Sequence, residues 1–177
     1  ELAGHLEPES LAAIATQAYS EMLASGYTAV AEFHYLHAVA GGHHPEGAMA
    51  EAILAAAGRS GIRLTYVPVL YERAGFEQSQ PEGHQALFAL DPETFLRHFE
   101  TVSSAAAGAV SVGIGVHSLR AVSRGSLSQI ASVAREGRIP LHLHIAEQQR
   151  EVDQCLAAYG RRPVRWLLEN HEVDEGW

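Results

Sequence analysis

Four short apolar runs, at residues 27–33, 62–70, 109–116 and 139–145, alternate with segments of helical spacing, and this alternation limits the fold more than any other feature of the chain. The first helical segment, 9–25, carries Leu11, Ile14, Ala15, Ala18, Met22 and Leu23 at helical intervals, with Gly26 where a left-handed cap is expected. A second spans about 46–57, with Gly58 and Gly61 as stop signals. Asp91-Pro92 opens a third over about 91–106, and Ser123 caps a fourth that ends near Gly137. Segments at 149–158 and 163–170 complete the set. Strands separated by helices form a parallel sheet with right-handed crossovers. Two architectures fit: part of a (β/α)₈ barrel, or an open doubly wound sheet. No Gly-x-Gly-x-x-Gly follows a strand, and Gly113-Ile114-Gly115 lies inside one, which weakens the dinucleotide-binding reading. The long loop 71–90, rich in Glu, Gln, Gly and Pro, has the length of a functional loop.

Reactive groups crowd the ends of the runs: Glu32, His34 and Tyr35, then Tyr71, then His117 and Arg120, then His144 and Glu147. Barrel active sites are assembled at the carboxyl ends of several strands, so the crowding favours the barrel. In the last run Leu141, Leu143 and Ile145 alternate with His142 and His144, so one face is aliphatic and the other bears imidazoles. His144, nearer the strand end, is the first candidate for a metal ligand. His142 is a second ligand or a buried support, and Gln148 is grouped with it as a supporting residue. A catalytic zinc usually takes three protein ligands, and the chain offers no convincing set of three. Glu147 suits a proton shuttle, or else simply opens the next helix, where the dipole favours a carboxylate. Arg120 offers a fork for a substrate carboxylate beside His117, and Tyr35 can donate a hydrogen bond to the same ligand. His5, His43, His44, His84, His98 and His171 read as surface or loop residues.

Charge narrows the partners. Twelve Lys and Arg face 21 Asp and Glu, a formal net charge of −9, which argues against nucleic acid or an anionic membrane surface. An anionic substrate must therefore find local cations against an unfavourable overall field. The single Cys155 excludes an internal disulfide and reads as a small buried filler. No apolar run approaches the ~20 residues of a membrane helix, and no signal peptide opens the chain, so a cytoplasmic setting is expected. The termini read as cut through a larger domain.

Particular motifs carry a family resemblance. They are Ala31-Glu32-Phe33-His34-Tyr35-Leu36-His37, Pro68-Val69-Leu70-Tyr71 with Ala74-Gly75-Phe76, Val116-His117-Ser118-Leu119-Arg120, and His142-Leu143-His144-Ile145-Ala146-Glu147-Gln148. Together they resemble the formimidoylglutamate deiminases of the amidohydrolase superfamily, in the aminohydrolase branch that includes cytosine and guanine deaminases. The resemblance implies a (β/α)₈ barrel with one zinc. It also implies hydrolysis of N-formimino-L-glutamate to N-formyl-L-glutamate and ammonia, a step of histidine degradation. It assigns His144 to the metal, Glu147 to proton transfer, and Tyr35, His117 and Arg120 to the substrate. The family's other ligands, a His-x-His on strand one, a His after strand six and an Asp after strand eight, have no counterpart here. Residues 1–177 are thus expected to be barrel strands two to five, inactive alone, with the remaining zinc ligands outside them. The expected partner is a small acidic amidine, with a homodimer as one assembly and neither nucleic acid nor membrane involved. Competing readings are a deaminase of the same superfamily with a neutral heterocyclic substrate, a non-catalytic α/β binding domain, and a phosphate-binding barrel, which lacks its Gly-rich turn.

Overall fold

The computed structural model describes residues 5–37, 47–77, 81 and 83–177, with His84 by its backbone alone. The predicted Gly/His loop, including His43 and His44, and the side chain of His84 fall outside that description. The chain divides into two compact units, residues 1–68 with 93–113, and residues 69–92 with 114–177.

In the first unit, α1 (Pro8–Ala24) leads to β1 (Ala29–His34), α2 (Ala48–Ser60) and the first six residues of β2 (Arg63–Leu70). Nearly all of α3 (Pro92–Ala105) and the short β3 (Val110–Val112) complete it. Every strand pairing is parallel: β1 lies on β2 from Ala29↔Arg63 to His34↔Pro68, and β3 on β2 from Leu64↔Val110 to Tyr66↔Val112. The core gathers Tyr19, Ile53, Ile62, Leu64, Tyr66 and Val102 around the alanines of α1 and α2.

Two details differ from the sequence reading. The face that α1 buries is Ala12, Ala15 and Tyr19, while Ile14 is 55% exposed. Small residues let α1 approach the alanine-rich α2, against which it packs. Gly58 lies within α2, and the stop is Gly61 at φ +81°, where a left-handed residue is required.

Glu32, near the end of β1, accepts a hydrogen bond from the Tyr19 hydroxyl of α1 at 3.1 Å. Burial raises the pKa of both groups. His98, expected at the surface, is buried. It joins His34 and His37, with ring centroids 6.0 Å apart for His34–His37 and 5.0 Å for His37–His98. His34 Nε2 donates to the Leu36 carbonyl at 2.7 Å. Burial, with the nearby His98, pushes its pKa down to about 4. Burial thus keeps the His34 imidazole neutral at neutral pH.

In the second unit, Val69 and Leu70 of β2 pair with Gly115 and Val116 of β4 (Ile114–Val116), and β4 pairs with β5 (Leu141–Leu143), again in parallel. The predicted third strand is therefore two short strands interrupted at Gly113, and the fourth is shorter than the run 139–145. Three helices follow the strands: α4 (Arg124–Gly137), α5 (Gln149–Tyr159) and α6 (Pro163–Asn170). Ser123 caps α4 as expected, accepting from the Ser126 N–H at 3.1 Å. The long loop contains a 3₁₀ turn, Gly83–Phe88. Leu70, Ile114, Val116, Leu127, Ile130 and Leu141 fill the interior, and Cys155 is buried among the helices as predicted. Among the described residues no helix is long and apolar enough to cross a membrane.

The buried His34 sets a pH dependence. Its folded pKa lies below the unfolded value, so the unfolded chain takes up the proton first as pH falls. Stability is then full above about pH 6.5 and declines toward pH 4, by up to about 1.4 kcal/mol per pH unit for one proton. Urea midpoints measured across this window should show a shallower slope for His34→Gln; an unchanged slope refutes the assignment.

Candidate active site

Parallel pairing carries the ends of β2, β4 and β5 to one edge of the second unit. Beyond the strands proper the ladder continues: His117 N–H donates to the Leu70 carbonyl at 3.1 Å, and His144 N–H to the His117 carbonyl at 3.2 Å. The two imidazoles consequently stand side by side, ring centroids 5.7 Å apart.

Arg120 organises the next layer. Its Nη1 donates to the Tyr71 hydroxyl at 3.2 Å and to the Ala74 carbonyl at 2.9 Å, and its Nη2 lies 3.1 Å from His117 Nε2. A guanidinium can only donate, so His117 Nε2 accepts, and the ring is neutral with its proton on Nδ1. Burial, then the Arg120 charge, then His144 hold the His117 pKa down at about 4, in line with that tautomer. The Tyr71 hydroxyl also accepts from Gln85 Nε2 at 2.9 Å, and its ring sits 5.0 Å from that of His117.

A second arginine sets the backbone beneath. Arg73 donates to the carbonyls of Leu119 and Arg120 and to the Tyr159 hydroxyl, each at 3.1 Å. One guanidinium therefore fixes the main chain from which the other projects.

A cavity of about 650 Å³ opens over this arrangement, lined among others by Phe76, His117, Arg120, Glu147, Gln148 and Glu151. That volume is in the range of small-molecule sites. Beyond β5 the chain turns through Ala146 at φ +56°, a left-handed conformation that costs a residue with a Cβ roughly 1–2 kcal/mol. Glu147 follows, exposed to solvent and lining the cavity.

The structure thus brings His117, Arg120, Glu147 and Gln148 to one cavity, with His144 against His117. His142 is half-buried on β5, paired in register with Gly115, and burial with the neighbouring His144 lowers its pKa. Tyr35 belongs to the first unit, half-buried just past β1, and is not among the residues lining this cavity. Sequence reasoning left Tyr71 without a role and missed Arg73 and Gln85. Tyr71 and Arg73 stand one and three residues after β2, where strand-end logic pointed; Gln85, inside the long loop, carried no signal.

The metal question turns on donors. Among the described residues no group of three or more His, Cys, Asp or Glu is placed to hold a metal ion. His144 offers one imidazole, while His117 Nε2 is engaged by Arg120. These residues do not by themselves form the three-ligand set of a catalytic zinc.

Comparison with known proteins places the chain. Residues 2–175 match the amidohydrolase family. The chain belongs to that family. It is 43% identical, over 99% of its length, to the formimidoylglutamate deiminase of Pseudomonas aeruginosa, of which it covers 39%. The crystal structure of an amidohydrolase from Brucella melitensis superposes with a TM-score of 0.89 at 37% identity, covering 97% of this chain and 39% of that one. A zinc complex of atrazine chlorohydrolase from Arthrobacter aurescens, at 20% identity and TM-score 0.76, covers 93% of this chain and 36% of that one, and shares the fold. The chain therefore spans about two fifths of the length of these relatives. Its parallel strands alternating with helices are a partial (β/α)₈ barrel of the amidohydrolase type.

Removing the Tyr71 hydroxyl strips an acceptor from both Arg120 and Gln85. Tyr71→Phe should lower stability by about 1–3 kcal/mol, since one lost bond is to a charged group. The urea unfolding midpoint measures it.

Proposed function

We propose that this chain supplies the middle of the active site of an amidine hydrolase that releases ammonia from N-formimino-L-glutamate. The observation that carries the reading is the oriented Arg120 guanidinium at the cavity wall of a chain with net charge −9. Three of its five N–H donors are held by Tyr71, Ala74 and His117, which fixes the plane of the guanidinium and leaves two donors for a carboxylate. Similarity to the Pseudomonas aeruginosa formimidoylglutamate deiminase supports the same choice.

In this reading Arg120 binds a substrate carboxylate, and His117, neutral with its proton on Nδ1, assists as a donor. Tyr35 is assigned to the same substrate. Water adds to the formimino carbon, the C–N bond to the terminal nitrogen breaks, and ammonia and the N-formyl product leave. Glu147 takes a proton from the attacking water and passes it to the departing nitrogen. His144 is assigned as one ligand of a zinc, with His142 and Gln148 supporting the strand end. The other ligands are assigned to parts of the family's barrel that the match does not reach. The proposed partner is the acidic amidine alone, acting on a cytoplasmic enzyme without nucleic acid or membrane and compatible with a homodimer.

Full-length protein tests this through ammonia release. Arg120→Ala should cut kcat/KM on N-formimino-L-glutamate by about 10- to 100-fold, the value of a charge-assisted contact, and leave turnover of neutral formamidine within about threefold. Equal loss on both substrates, or a wild-type preference for a neutral heterocycle, sinks carboxylate recognition. Metal analysis should return about one zinc per chain in the full-length protein and less in His144→Ala.

A further inference from the structure

We infer that Glu151 is a positioning residue for Glu147, fixing the left-handed turn that carries Glu147 into the cavity. The inference rests on the proton-transfer role assigned to Glu147 above.

Glu151 sits in the first turn of α5 and is only 6% exposed, an unusual state for a carboxylate. Burial of such a group is tolerated only where hydrogen bonds replace water. Its two oxygens accept from backbone amides: Oε1 from Ala146 N–H at 3.3 Å and Oε2 from Glu147 N–H at 3.0 Å.

These partners distinguish it from an ordinary helix cap. Gln148 is the N-cap of α5, which puts Glu151 at the third helical position. A glutamate there usually reaches back to the N-cap amide. Glu151 instead reaches one and two residues further, to the turn between β5 and the helix. It thereby bridges the one residue of that turn with positive φ, Ala146 at +56°, and the residue after it.

Ala146 has no conformational reason of its own to be left-handed, because its Cβ opposes that state. Two amides converging on one buried carboxylate supply the reason. Loss of either contact frees the turn to relax toward ordinary backbone angles, and Glu147 moves with it. Both glutamates line the same cavity, so a change at one is felt where the other works.

The test uses the full-length protein. Glu151→Gln keeps one acceptor oxygen and sets an NH₂ donor against an amide donor. It should lower kcat on N-formimino-L-glutamate by about 10- to 100-fold with KM within about twofold, because ground-state contacts are untouched. Zinc content should not change, and the Ala146 and Glu147 amides should exchange with solvent deuterium about tenfold faster. Ala146→Gly in the Glu151→Gln background should recover at least about threefold in kcat, since glycine takes positive φ without strain. If Glu151→Gln does not fold, Ala146→Val at the exposed turn position must give the same loss confined to kcat. Unchanged kcat in these variants, or loss without glycine rescue, overturns the positioning role. Glu147→Gln separates the layers: full activity in that variant removes the proton-transfer reading itself, whereas its inactivity beside an active Glu151→Gln removes only the present inference.

Discussion

Parallel pairing of β4 with β5 is the constraint on which the second unit depends. In a parallel ladder the carboxyl ends of neighbouring strands fall at the same edge, so strand-end residues distant in sequence become neighbours in space. The His144 N–H to His117 carbonyl bond extends that ladder beyond the regular strand. It sets two imidazoles 27 positions apart in the chain within 5.7 Å of each other. Had the crossover through α4 returned an antiparallel strand, His144 would lie at the opposite end from His117.

Electrostatics is handled by the same economy of groups. A chain with net charge −9 offers an anion few welcoming surfaces. Arg73 and Arg120 are placed in succession: the first grips main-chain carbonyls and so spends its charge on structure, and the second reaches the cavity. Because Arg120 only donates, it also dictates the His117 tautomer. A lysine at position 120 could not contact the tyrosine, the carbonyl and the imidazole from two nitrogens in one plane.

The alternation of strand and helix was legible in the sequence because periodicity survives local detail. Helices α3, α4, α5 and α6 begin within a residue or two of the predicted points, since Pro92, Ser123 and Pro163 mark them chemically. The buried face of α1 was legible in part: Ala15 is buried and Leu11, Met22 and Leu23 pack against the core, whereas Ile14 and Ala18 are exposed and Ala12 and Tyr19 are buried without having been read. Hydropathy favours Ile14 over Ala12, whereas close packing against an alanine-rich helix favours the smaller side chain. Burial of His98 was hidden for a related reason, because an imidazole packed among rings looks, in sequence, like any polar residue on a helix. The residues gathered at the cavity were read from strand ends. Glu151 was not, because its contacts run to backbone amides, and amides leave no trace in residue type.

The helices of the second unit also carry an aromatic ladder. Phe76 meets Tyr159 edge-on at 5.1 Å, Tyr159 stacks on Trp166 at 4.9 Å, and Arg124 lies over the Tyr159 ring at 4.2 Å. His171 then bridges Trp166 and Trp177, 5.8 Å from each ring. These are the two tryptophans of the chain, and both belong to the second unit. Indole emission from residues 1–177 is therefore blind to the first unit, whose chromophores are tyrosines such as Tyr19 and Tyr66. Indole light thus reports the second unit, and protonation of His171, delayed by burial below the ordinary imidazole range, would dim that signal.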